Sequence, residues 1–129
     1  MTGFKMHWFL VLVATVNCME IVSIPRTNPP PPKRQSSSMT YLETKDALYL
    51  FGGYDQKSSS FEDTWAYHLK NSSWEELTPY IYTFPGKRSS SGSFVYSNEI
   101  ICFFGGLGEN GPLRDTWCYD VSALEVLVI

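Results

Sequence analysis

Histidine is almost missing from this chain: 129 residues contain two, His7 and His68. General acid–base work, activated nucleophiles and most catalytic metal sites lean on histidine, so enzymatic chemistry is poorly supplied. The serine-rich stretches at 36–38, 58–60 and 89–91 have no local His/Asp partner spacing, and no His/Cys/carboxylate group has the spacing of metal ligands. Cysteine is scarce too. Cys18, Cys102 and Cys118 are too few for a small disulfide-built scaffold. Basic runs are absent: only Lys33-Arg34 and Lys87-Arg88 are adjacent, and the net charge is −3. This excludes the electrostatic footprint of a nucleic-acid binder. A membrane-spanning run is also lacking, because the nine residues "WFLVLVATV" (Trp8–Val16) rise about 14 Å as a helix against a roughly 30 Å hydrocarbon core.

What is present is globular and aromatic, with 43% apolar and 16% aromatic residues, a composition that suits a β-rich core. Lys5 ahead of the short Trp8–Val16 run, with Val16 and Cys18 as small residues before a cut near Met19, reads as an export signal over residues 1–18, a short helix. The mature chain is then secreted or lumenal, with no membrane attachment after cleavage. In that setting Asn71-Ser72-Ser73 is an N-glycosylation acceptor, and Cys102 and Cys118 are the cysteines that remain.

The stretch "GLGENG" (106–111) spells G-x-G-x-x-G after the apolar run "IICFF". A phosphate-cradling loop must lead into a helix, whose free N–H groups hold the pyrophosphate. "PLRDTWCYD" follows instead, with no apolar spacing at three and four residues, so the glycines are loop punctuation. No cofactor is expected.

The chain repeats itself. "YLFGGYDQKSSSFEDTWAYHLK" (49–70) aligns with "CFFGGLGENGPLRDTWCYDV" (102–121), placing Gly52-Gly53 on Gly105-Gly106, Trp65 on Trp117 and Tyr67 on Tyr119. Upstream, Arg34 aligns with Arg88 and Pro31 with Pro85, both 54 positions apart. Each unit divides into four short strands: 37–42, 47–51, 64–69 and 74–77, then 91–96, 99–104, 116–121 and 124–129. "TKD" (44–46) is the first turn, and a turn-rich loop joins strands two and three. Strand two is apolar throughout in both copies, which predicts burial on both faces, as in a sheet stacked between neighbours. A period of fifty-odd residues with four antiparallel strands points to a β-propeller blade.

The pattern of an apolar strand ending in Gly-Gly, then Asp-x-Trp-x-Tyr and a later tryptophan, resembles the kelch repeat. "YLFGG…DTWAY…W" carries it through Trp74, and "CFFGG…DTWCY" departs from it only at Val126. The resemblance implies an all-β, partial kelch-type propeller of two four-stranded antiparallel blades. The organisation expected is the signal (1–18), a Pro-rich lead-in (19–33) with a candidate extra strand at "EIVSI" (20–24), repeat one (34–79) and repeat two (80–129). The implied function is a protein-binding scaffold, not an enzyme. Its partners are other proteins, met through loops 53–63 and 106–115. The alternatives are a fragment of a larger propeller, or of a galactose-oxidase-like enzyme, without activity of its own. Two blades alone leave two apolar faces open, so self-association is expected. Arg34 and Arg88 are expected to bond carbonyls or stack on a ring. "PPPPKR" (29–34) also matches a Pro-x-x-Pro-x-Arg ligand for aromatic grooves, although the repeat accounts for its prolines. A hairpin centred near Asn110 sets Cys102 opposite Cys118, either as a disulfide or as two small buried thiols, where the first unit has Tyr49 and Ala66.

Overall fold

A computed structural model describes residues 29–78, 85–123 and 125–128. The expected export signal, Cys18 and the "EIVSI" strand lie outside the described residues. The first unit is built from β1 (Ser38–Leu42), β2 (Ala47–Phe51), β3 (Thr64–His68) and β4 (Ser73–Glu76), a four-stranded antiparallel sheet in chain order. The second contains β5 (Gly92–Ser97), β6 (Ile100–Phe104), a small ribbon of β7 (Leu107–Gly108) and β8 (Gly111–Pro112), then β9 (Thr116–Asp120) and β10 (Glu125–Val128). Its sheet runs β5-β6-β9-β10, all antiparallel.

The alternation of each strand sorts its side chains by face. In the first sheet Leu42, Ala47, Tyr49, Phe51 and Ala66 share one face, and they pack against Ile101, Phe103 and Tyr119 of the second. The rings of Phe51 and Phe103 meet with centroids 4.7 Å apart. The core therefore lies between the two sheets. Trp74 packs on Tyr67 at 5.1 Å and pins the outermost strand of the first sheet. Val126 stands opposite Tyr119 just as Trp74 stands opposite Tyr67, so the substitution leaves the strand register unchanged.

Gly52 shows why the Gly-Gly pair closes strand two. Its φ is +63°, and a Cβ there would sit 2.4 Å from the carbonyl oxygen of Arg88 on the next unit. Both the left-handed backbone and the close approach of the second unit require glycine. The second glycine of each pair is crowded by its own unit: Gly53 has φ +94° and a would-be Cβ 2.8 Å from Gln35 O, and Gly106 has φ +93° and one 2.5 Å from Ser89 O.

The "TKD" turn is present and takes 3₁₀ form over Glu43–Lys45, closed by Asp46 at φ 47°. Two expectations need correction. The stretch 106–115 is not merely a turn-rich loop, because β7 and β8 pair within it. Double-sided burial of strand two fails at the outer face of β6, where Phe104 is 53% exposed. No third sheet covers that face among the described residues.

Candidate functional site

One cluster recurs at the same end of both sheets. In the first unit the Arg34 guanidinium donates to Asp63 Oδ1 at 2.6 Å and Oδ2 at 2.8 Å, and to the carbonyl of Gly52 at 3.0 Å. Trp65 Nε1 donates to the same Asp63 carboxylate at 2.6 Å, and Phe61 lies under the guanidinium, 4.0 Å from its carbon. In the second unit Arg88 grips Asp115 at 2.8 and 3.0 Å and Gly105 O at 3.1 Å, and also donates to Pro85 O. Trp117 Nε1 reaches Asp115 at 2.5 Å. A planar guanidinium suits this bidentate grip, and a lysine could not reproduce it.

The electrostatics follow from the contacts. The Arg88 hydrogen bonds, aided by Trp117, outweigh burial and hold Asp115 at about 2. Burial pushes Asp63 upward, yet the bonds from Arg34 and Trp65 win and keep it below the usual carboxylate range. Both carboxylates are therefore charged at neutral pH and structural in use. Arg34 is 4% exposed and engaged on all sides, so "PPPPKR" does not offer its arginine as a ligand.

Each clamp ties the start of its unit to the base of the loop between strands two and three. The Asp55 side chain organises loop 53–63 by accepting from the N–H groups of Lys57 (2.8 Å) and Ser59 (2.9 Å). Tyr54 pairs with Gln35 and Ser60. Loop 106–115 is braced instead by the β7–β8 ribbon and by Ser89 pairing with Leu107. Glu109 and Asn110 form the ribbon's turn, so "GLGENG" is a hairpin and leads into no helix. Between the two loops lies a cleft of about 700 Å³, lined by Tyr54, Ser59, Lys87, Ser90, Leu107 and Glu109 among others.

The other residues singled out in the sequence are spread through the sheets. Trp65, Tyr67, Trp117 and Tyr119 belong to the strands, with both tyrosines buried. Tyr119 is pushed up to about 12 by burial. His68 Nε2 lies 2.7 Å from Glu75 Oε2 on the neighbouring strand, partly exposed, as a surface pair. Among the described residues no group of three or more His, Cys, Asp or Glu could hold a metal. Cys102 and Cys118 face each other across β6 and β9 with their sulfurs 1.97 Å apart, a disulfide. Tyr49 and Ala66 occupy the same register position in the first sheet. Asn71 is exposed in the β3–β4 turn, and its Oδ1 accepts from Ser73 Oγ at 2.7 Å. The carboxylates of the clamps are what sequence reasoning missed. The signal was present, because Asp63 and Asp115 recur in the repeat as regularly as the arginines do.

Two sheets of one design, with one clamp repeated in each, call for comparison with known repeat proteins. The sequence model of the KLHDC2/KLHL20/DRC7 Kelch-repeats domain matches residues 5–128. This chain belongs to the kelch-repeat family. The fold is all-β, a partial kelch propeller, and a kelch domain of this kind is a protein-interaction scaffold. Among curated proteins, the acyl-CoA-binding domain-containing protein 5 of Arabidopsis thaliana is 26% identical over 115 residues, covering 89% of this chain. The chain spans 17% of the length of that relative. The kelch match begins inside the segment read as an export signal.

Proposed function

We propose that this kelch protein is a secreted binding module whose contact surface is formed by loops 53–63 and 106–115 and the cleft between them. The observation that carries the reading is the pairing of like with unlike. Matching Arg–Asp–Trp clamps hold the bases of two loops that differ in sequence and in internal bracing. A rigid base with divergent tips is the arrangement by which scaffolds recognise other proteins. Internal bracing favours affinity, since little entropy remains to be lost on binding. The cleft is mixed, with serines, Lys87 and Glu109 beside the apolar Tyr54 and Leu107, so it favours a partner segment that offers both polar and apolar groups.

Export rests on two supports, the Lys5 and Trp8–Val16 arrangement and the cross-strand disulfide, which persists in oxidising compartments. In that setting the exposed Asn71 is a glycan acceptor. Protein from a secreting host should begin near Met19 and carry a glycan at Asn71. An intact Met1 on soluble, unglycosylated protein would overturn the export reading.

The contact surface is tested by photo-cross-linking in culture medium, with the reactive group at Ser59, at Glu109, or at Glu76 on β4. The same partner protein should cross-link from Ser59 and Glu109 and not from Glu76. Cross-linking from Glu76 alone would place the contact on the outer strand and reject the loops.

A further inference from the structure

The tip of the β7–β8 ribbon carries a reaction that needs no partner. The chain has five asparagines, Asn17, Asn28, Asn71, Asn98 and Asn110, and glycine follows only the last. A backbone nitrogen that attacks the amide side chain before it must reach the asparagine Cγ. A Cβ on the attacking residue obstructs that approach, and glycine has none. The space around Gly111 is open as well, because a Cβ built on it would meet nothing within 4 Å. Asn110 itself is exposed, and among the described residues no hydrogen bond holds its amide. Asn71 differs: Ser72 follows it, and its Oδ1 accepts from Ser73 Oγ. Asn98 is followed by the bulkier Glu99.

Ring closure takes freedom about the Asn110–Gly111 peptide, and the ribbon holds that peptide weakly. β7 and β8 pair only Leu107 with Pro112 and Gly108 with Gly111. Pro112 has no N–H to donate. Both main-chain groups of Leu107 are engaged with Ser89 instead, at 2.8 and 3.0 Å, and Leu113 N donates to Gly106 O at 2.8 Å. Residues 108–111 can therefore open while all of these anchoring bonds stay made. An opening so local has a free energy well below that of global unfolding.

We propose that Asn110 is a modification site of the folded protein, losing its amide spontaneously through Gly111 to give isoaspartate and aspartate. The Gly111 nitrogen gives up its proton and bonds to Asn110 Cγ. The Cγ–Nδ2 bond breaks, and ammonia leaves with that proton. The cyclic succinimide so formed then takes up water at either carbonyl. Addition at Cγ restores the ordinary backbone and leaves aspartate. Addition at the main-chain carbonyl leaves isoaspartate, whose backbone runs through the former side chain. Water enters and ammonia leaves, so no oxidant, reductant or enzyme is needed. Either product sets a new carboxylate beside Glu109 at the tip of loop 106–115, and isoaspartate also lengthens the main chain of the ribbon's turn.

The test incubates the oxidised full chain beside a free peptide of residues 106–113 at mildly alkaline pH. Mass spectrometry follows the mass gain at Asn110 in each, and labelling by an isoaspartate methyltransferase reports the linkage. Because the ribbon tip opens locally, the initial rate in the folded protein should lie within about a hundredfold of the peptide's. It should rise with pH, since the attacking nitrogen must lose its proton. Asn98 should keep its amide over the same period. Asn110→Gln should show no gain, because its longer side chain closes a ring far more slowly. Greater slowing than this would mean that conversion waits for global unfolding, and would overturn the inference. So would a rate indifferent to pH, a gain at Asn98 as fast as at Asn110, or a gain that persists at this site in Asn110→Gln.

Discussion

Arg34 and Asp63, like Arg88 and Asp115, show how much one side chain can hold. Each guanidinium joins a carboxylate, a backbone carbonyl at the end of strand two and, in the first unit, an aromatic ring. The repeat marks the arginines, and carbonyl and ring contacts are legible from the type of residue. Their carboxylate partners were not recognised, although Asp63 and Asp115 recur with the repeat, because they lie 29 and 27 residues away and periodicity marks positions without saying which of them meet when the sheet closes. Asp115 titrates at about 2 when folded and near 3.8 when unfolded. A depressed folded value means that its stabilisation is complete above about pH 4 and is lost as the pH falls through about 2. In acid titration followed by circular dichroism, Asp115→Asn should flatten this part of the profile. At neutral pH the same variant should lose about 2 kcal/mol in urea unfolding. Arg88 is then left buried without its counter-charge, although the loss is moderated because Asp115 is partly solvated.

At the scale of elements, strands declare themselves and small ribbons do not. "ALYLF" and "TWAYH" are apolar, β-branched or aromatic and bounded by turn residues, and they form β2 and β3. β7 and β8 have two residues each and contain glycine and proline, which carry no strand preference, so that ribbon depends on the loop being held at its base. The hairpin arithmetic that sets Cys102 opposite Cys118 is local, but whether the two thiols join depends on geometry and compartment. Unreduced, alkylated protein should show neither cysteine modified, and two alkylated thiols would reject the bridge. The disulfide closes a loop of 16 residues, so reduction should lower stability by about 3 kcal/mol. Cys102→Tyr with Cys118→Ala, which installs the first unit's pair, should remain folded under reducing conditions.

Across the whole molecule the two sheets share one core, so neither is expected to stand alone. Phe103 is 2% exposed against Phe51. Its truncation to alanine should cost about 3–5 kcal/mol. The loss should appear in both units together. Urea unfolding read from Trp65 and from Trp117, each left as the single tryptophan of its variant, should give coincident midpoints. Separate midpoints would mean that the sheets fold independently.

The chain by itself determined its repeat, the four strands of each main sheet, the kelch pattern and the places where glycine is needed, because these depend on local periodicity and local backbone freedom. Only the tertiary structure decided which aspartate each arginine grips, that the loop after β6 folds into a ribbon, and which apolar face is covered. These depend on residues far apart in sequence being brought within hydrogen-bond or van der Waals reach. The uncovered face makes the distinction plain. Phe51 and Phe104 read alike in sequence, and one is buried while the other is exposed because a neighbouring sheet lies against one and not the other.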